Sequence, residues 1–297
     1  MRAAPLLAVF LLLAPCSPSF AAIAMHDDTG REVRLEAPAR RIVSLAPHIT
    51  ELLFEIGAGD AIVAATEYSD YPEAAKRLPR VGGLAGIDLE RIVALKPDLV
   101  IAWQSGTAQA QLEALVRLGI PVFRSEPHTL ADVATTLERF GAMTGHAREA
   151  SAKADDFRRK VAALRDTYAS RAPVRVFYQV WNNPLITIGG PHLITRVIEL
   201  CGGRNVFASV AMLAPTIDAE AVIAADPQLI VTAAEGCKQR NDIALWSRWT
   251  SVSAVGHHHY LFLDPNLITR HTSRISIGAE TLCRAIDAAR DDRPVHF

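Results

Sequence analysis

Net charge is almost absent: across 297 residues, 31 Lys and Arg face 32 Asp and Glu, leaving −1 at pH 7. That balance lacks the basic footprint of a nucleic-acid binder. Aromatic residues are scarce at 6%, so each ring near a candidate cleft carries weight. Cysteines number four, none in a C-x-x-C pair, which removes the usual zinc frameworks. No G-x-S-x-G, H-E-x-x-H or Gly-rich phosphate loop occurs, and Gly189-Gly190 and Gly202-Gly203 read as turns. Past the opening two dozen residues, no apolar run reaches the ~20 residues of a spanning helix. What is present is 50% hydrophobic content, which argues against disorder. At about 100–200 residues per domain, the chain has room for two cores.

The first residues read as an export signal. Arg2 precedes an apolar run from Ala3 to Ala14, small and turn-forming residues follow, and Ala22-Ile23-Ala24 supplies the A-x-A end. Leu13-Ala14-Pro15-Cys16 half-resembles a lipobox, but proline directly before the cysteine fits poorly, so cleavage is expected near Ala24. Export implies an oxidising compartment, the periplasm. Of Cys201, Cys237 and Cys283, one pair can be bridged and one left over; spacing alone does not choose the pair.

Short apolar runs alternate with helical patterns. Strands are expected at 41–45, 61–65, 99–103 and 121–124, then at 174–180, 229–232 and 260–263. Helices are expected at 50–56, 89–95, 109–118 and 192–200. That order implies parallel sheets covered by helices, an α/β fold in two lobes. Between them, apolar or small residues fall at Ala147, Ala150, Ala154, Phe157, Val161, Leu164 and Tyr168, spaced alternately by three and four, with neither Gly nor Pro up to Ala172. This predicts one rigid amphipathic helix of roughly 25 residues joining the lobes. The expected organisation is a signal peptide at 1–24, an N-terminal α/β lobe at 25–145, a backbone helix at 146–172 and a C-terminal α/β lobe at 173–297. Two such lobes, exported and without a catalytic motif, suggest a substrate-binding protein rather than an enzyme, with ligand at the carboxyl ends of the strands.

Candidate ligand contacts follow from that geometry. Tyr68-Ser69-Asp70-Tyr71-Pro72 is a loop after a strand, and Trp103 and Trp181 close strands; their ring faces suit a large flat ligand, or else plug the base of the cleft. His48 follows the first strand and either meets ligand or bonds to the helix start beside it. Thr269 to Arg274 offers donors to a ligand or caps the last helix. His257-His258-His259 is dense, but neighbours on a strand point to opposite faces, so a solvated cluster is expected. A secreted metal-dependent hydrolase would require two of these histidines and a carboxylate on one site.

Tyr68-Ser-Asp-Tyr-Pro72, Asp88 to Trp103 and Leu200-Cys-Gly-Gly-Arg-Asn-Val-Phe207 together resemble the class III periplasmic substrate-binding proteins, in particular those that carry cobalamin. The resemblance implies two α/β lobes joined by one long rigid backbone helix. It also implies delivery of cobalamin or a related corrinoid, as transported ligand and not cofactor, to an ABC importer permease in the inner membrane by a monomeric binding protein. Haem, a siderophore or another metal chelate is the alternative cargo. Carried over by residue, it implies ligand contacts at Tyr68, Trp103 and Arg270, a Cys201–Cys283 disulfide, and permease-docking carboxylates at Glu90 and Glu220. Where the family has further tryptophans, this sequence has Leu84, Ala214 and Leu267, with less ring area for the ligand; Trp181 supplies part of the difference.

Overall fold

The structure, a computed structural model, describes residues 22–83, 85–233 and 244–295. The expected signal peptide, apart from 22–24, together with Leu84 and Cys237, lies outside the described residues. An N-terminal hairpin, β1 (Ile23–His26) and β2 (Glu32–Leu35), precedes the first sheet. That sheet holds β3 (Ile42–Ser44), β4 (Ile62–Ala65), β7 (Leu99–Trp103) and β8 (Val122–Ser125) in the order β4-β3-β7-β8, all parallel. A two-stranded piece, β5 (Gly82–Gly83) and β6 (Gly86–Ile87), sits between β4 and β7 in the chain. The second sheet has β9 (Val174–Asn182), β12 (Leu229–Ala233) and β13 (Tyr260–Leu263) in parallel. On the far edge of β9, β10 (Leu185–Thr187) pairs antiparallel and β11 (Gly203–Asn205) parallel. The central strands are largely apolar and buried on both faces, as parallel sheets require.

Helices α1 (Pro47–Glu55), α2 (Leu89–Ala94), α3 (Gln109–Arg117), α4 (Leu130–Thr144), α5 (Ala147–Tyr168), α6 (Leu193–Leu200) and α7 (Ala219–Ala225) cover the sheets, and Ile275–Arg290 forms the last long helix. α1 starts three residues before the expected Thr50, because Pro47 occupies its first turn, where a missing N–H costs nothing. α5 has 22 residues, about 33 Å, and ends at Tyr168 rather than Ala172. Pro173 disfavours helical backbone at Ala172, so the chain leaves the helix early. Its buried face is Ala150, Ala154, Phe157 and Val161; Ala147, at the N-terminal end, is exposed.

α4 packs along α5. A Cβ on Gly141 would stand 2.3 Å from the Cβ of Ala150, so glycine and alanine at this crossing set how closely the two helices approach. A capping box at Thr129 and Asp132 starts α4, and left-handed Gly145 ends it. One apolar cluster then runs without a break from Ile42, Ile101 and Phe123 of the first sheet, through Ala154 and Phe157, to Val176 and Leu261 of the second and Ile286 of the last helix.

The two sheets contain the same small unit twice. N-cap Asp88, first-turn Glu90, Lys96 at φ 46°, Pro97 and the strand from Leu99 recur at identical spacing as Asp218, Glu220, Asp226 at φ 43°, Pro227 and the strand from Leu229.

Cys201, at the C-terminus of α6, is disulfide-bonded to Cys283 on the last helix, with Cα atoms 4.5 Å apart and a sequence separation of 82. Closing a loop of that length stabilises the fold by about 4 kcal/mol on the chain-entropy account. The double variant Cys201→Ser/Cys283→Ser is expected to lose up to that amount in denaturant unfolding. A loss under about 0.5 kcal/mol, the range of ordinary surface changes, would contradict a structural role for the bridge.

Candidate functional site

The carboxyl ends of both sheets face a common cleft. Two cavities occupy it, and Trp103 lines both. One, of about 450 Å³, lies on the first sheet among Ala46, Thr66, Tyr68, Gly86, Trp103 and Gln111. The other, of about 400 Å³, is walled by Trp103, Glu126 and His128 on one side and by Tyr178, Val180, His192, Ala214 and His271 on the other. Apart from Tyr178 and Val180, which lie within β9, the wall residues follow or close a strand, which is where open α/β sheets bind ligands.

Trp103 is fixed at the end of β7. Its Nε1–H donates to Glu126 Oε1 at 3.2 Å, and Glu126 also accepts from the Ser105 backbone N–H at 2.7 Å. A Cβ on Gly106 would stand 2.0 Å from the indole, so only glycine lets the loop fold over that ring. His48, in the first turn of α1, meets Trp103 edge-on with ring centroids 5.5 Å apart. His271 lies 5.6 Å from His48 and 6.1 Å from Trp103, and His192 lies 6.4 Å from His271. Burial pushes the His48 imidazole well below its ordinary pKa, with His271 and Arg270 pushing the same way. Burial also pushes His192 down to about 4. His271 falls to about 4, mainly through burial and then through His192 and His128. His192 and His271 thus present neutral imidazoles to the inter-lobe cavity, and a third, His48, packs against Trp103 and His271.

Tyr68 stands at the rim, 67% exposed, with a left-handed φ of 63° that a bulky residue rarely adopts. Arg270, from the second lobe, reaches across. Its Nη2–H donates to the Tyr68 carbonyl at 3.3 Å and to Asp70 Oδ1 at 2.6 Å. Behind it, Glu51 of α1 is 2% exposed and takes two hydrogen bonds from Arg274, at 2.5 and 2.6 Å. The Arg274 guanidinium also lies over the Tyr71 ring, 3.7 Å from its centroid. Ser273 Oγ–H donates to Glu55, whose carboxyl burial pushes up while this bond pulls it down.

Of the residues singled out in the sequence, His48, Tyr68, Trp103 and Arg270 come together here. Trp181 does not join them: it is 51% exposed and donates to the Asn183 carbonyl at the β9–β10 turn, while Tyr178 and Val180 line the cavity. β9 continues past the expected end at Val180 to Asn182, which carries the ring away from the cleft. Ala214 lines the cavity, and Leu267 does not. Glu90 and Glu220 are exposed in the first turns of α2 and α7, with no ion pair among the described residues. His257 and His259 stack at 5.6 Å and both face Asp292, at the amino end of β13, the opposite end from the cleft. Among the described residues no group of three or more His, Cys, Asp or Glu is spaced to hold a metal ion. His192, His128 and Tyr178 were not singled out in the sequence; Tyr178 sits in the middle of β9, where strand-end position does not announce it.

The histidines make stability pH-dependent. His271 titrates near 6.5 when unfolded and at about 4 when folded, so between those values the unfolded chain holds more protons. Its contribution is fully present above pH 6.5 and is lost as pH falls toward 4. At about 1.4 kcal/mol per pH unit, this ring accounts for a loss on the order of 3 kcal/mol. His271→Gln, which cannot titrate, is expected to flatten the fall in denaturation midpoint across that window; an unchanged slope would contradict the buried neutral imidazole.

Residues 42–267 match the family described as Periplasmic binding protein. The chain is 39% identical over 246 residues to a vitamin B12-binding protein of Yersinia pestis (strain Pestoides F), covering 83% of this chain and 86% of that one. Among solved structures, the periplasmic vitamin B12 binding protein BtuF of Vibrio cholerae superposes with a TM-score of 0.80 at 36% identity, over 85% of this chain and 98% of that one. The periplasmic heme-binding protein RhuT from Roseiflexus sp. RS-1 shares the fold, with a TM-score of 0.74 at 24% identity over 84% of this chain and 99% of that one. With two parallel sheets, a joining helix and a cleft at the strand ends, the chain belongs to the periplasmic binding protein family.

Proposed function

We propose that this protein captures cobalamin or a related corrinoid in the periplasm and delivers it, as a monomer, to an ABC importer permease. The observation that carries this reading is the 39% identity with a vitamin B12-binding protein along most of both chains. The cleft supports it: Tyr68 and Trp103 offer ring faces, and the two cavities meeting at Trp103 give room for a ligand larger than either. The reading assigns no covalent chemistry. Tyr68 and Trp103 are its ligand-side residues, with His48 acting through the Trp103 ring that it packs against and Arg270 through the Tyr68 loop that it holds. A leader cut just ahead of Ile23 would keep the β1–β2 hairpin whole.

Calorimetric titration of the exported protein tests the cargo. Cyanocobalamin is expected to bind one to one, and Trp103→Ala to weaken it by about 30-fold, the ~2 kcal/mol of a hot-spot aromatic. Saturable binding of haem or a ferric siderophore with none of cyanocobalamin would replace this reading.

Glu90 and Glu220 occupy the same position in the repeated unit, one per lobe, exposed and outside the cleft. Two such carboxylates suit a permease with a pair of basic patches. Contacts of this kind set encounter and register, and weaken with salt. In Glu90→Ala/Glu220→Ala, ligand affinity is expected to stay within about twofold while binding to the reconstituted importer and uptake collapse. Normal uptake by the double variant would remove the docking role.

A further inference from the structure

The cleft holds more unspent imidazole than a surface for stacking needs. Among the described residues, the His271 ring makes no hydrogen bond. Its Nδ1 is buried without a partner, which leaves Nε2 as the nitrogen that meets the inter-lobe cavity. The residue is only 9% exposed, pinned between His48, Trp103 and His192. With its proton on Nδ1, a neutral imidazole held in this way presents the Nε2 lone pair to a largely apolar cavity, where it can serve as a ligand for a metal.

Its neighbours cannot fill that role as they stand. His192 Nδ1 accepts the Ile194 backbone N–H at 3.1 Å, so the neutral ring carries its proton on Nε2 and is a donor. His48 has its Nε2 enclosed and lines neither cavity. His128 lines the cavity but is exposed on its loop, without the packing that fixes His271. No three of these residues close around a bare ion, so the metal must arrive inside a chelate that already fills its other positions.

Resting on the corrinoid reading above, we propose that His271 is an axial ligand to the cobalt of a corrinoid whose outer axial position carries an exchangeable water. On binding, the cobalt–oxygen bond breaks, water leaves, and the Nε2 lone pair forms a cobalt–nitrogen bond. Oxidation state and proton count do not change, because the imidazole is neutral beforehand and water departs intact. His48 and Trp103 act as positioning residues that hold the ring edge toward the cavity. The site would therefore favour aquo corrinoids over forms capped by a strong ligand such as cyanide.

The test uses the exported full-length protein with aquocobalamin, cyanocobalamin and haem as separate probes, read by calorimetry and by the visible spectrum of the corrinoid. Aquocobalamin is expected to bind at least about tenfold tighter than cyanocobalamin and to take on the spectrum of its imidazole adduct in water. In His271→Ala the two affinities should converge and the spectral change vanish, with free imidazole restoring it. His271→Gln, which fills the same space, should behave like the alanine variant and guards against a packing effect. Equal affinities with an unchanged aquocobalamin spectrum would overturn the axial role while leaving the corrinoid reading intact. Loss of the spectral change in His128→Ala but not in His271→Ala would overturn the assignment. Binding of haem with neither corrinoid would overturn the underlying reading itself.

Discussion

A carboxylate removed from water holds the two lobes in register. Glu51 is 2% exposed, and two arginines from the other lobe reach it: Arg274 through paired hydrogen bonds and Arg270 with Nη1 at 3.6 Å. Breaking such a buried pair costs about 3–5 kcal/mol, since the remaining charge has no water to turn to. The site depends on it geometrically. Glu51 lies one turn along α1 from His48, and Arg270, anchored behind by Glu51, grips the Tyr68 carbonyl and Asp70 in front. The loop that presents Tyr68 in a left-handed conformation is thus held by the opposite lobe, and the width of the cleft mouth is set by charge pairing before any ligand enters.

The fold was largely legible in the sequence because its signals are local. Parallel strands buried on both faces are short apolar runs, and β7 and β13 begin and end where those runs do. The alternating three-and-four spacing marked α5, with only its C-terminal end overextended. α4 was not singled out, although Thr129 and Asp132 write its start and Gly145 its stop. The repeated unit from Asp88 and Asp218 was legible only as two similar helix starts bearing Glu90 and Glu220, because its further matches, at Ala94/Ala224, Pro97/Pro227 and Leu99/Leu229, are scattered among residues that differ.

Apart from Arg270, which the family resemblance supplied, the site was legible where strand position alone places a residue. Tyr68, His48 and Trp103 follow from that rule. Trp181 follows it too and yet stands aside, because the turn at Asn183-Pro184 extends β9 into a hairpin. His192 and His271 are far apart in the chain and meet only through tertiary packing, so no spacing announces them. Glu51 was equally silent: in sequence it is an acid at a helix start, and its partners lie more than two hundred residues away.

The unbroken apolar cluster through α5 has a consequence for how such a chain can change over time. Phe157 and Val161 belong to one core shared by both sheets, and the bond between Cys201 and Cys283 ties helices of that core together. A lobe cut away from the other would expose half of an interior instead of a finished surface. The halves therefore cannot be traded between relatives like beads on a string. New cargo has to be acquired by altering the strand-end loops, where substitution leaves the common interior intact.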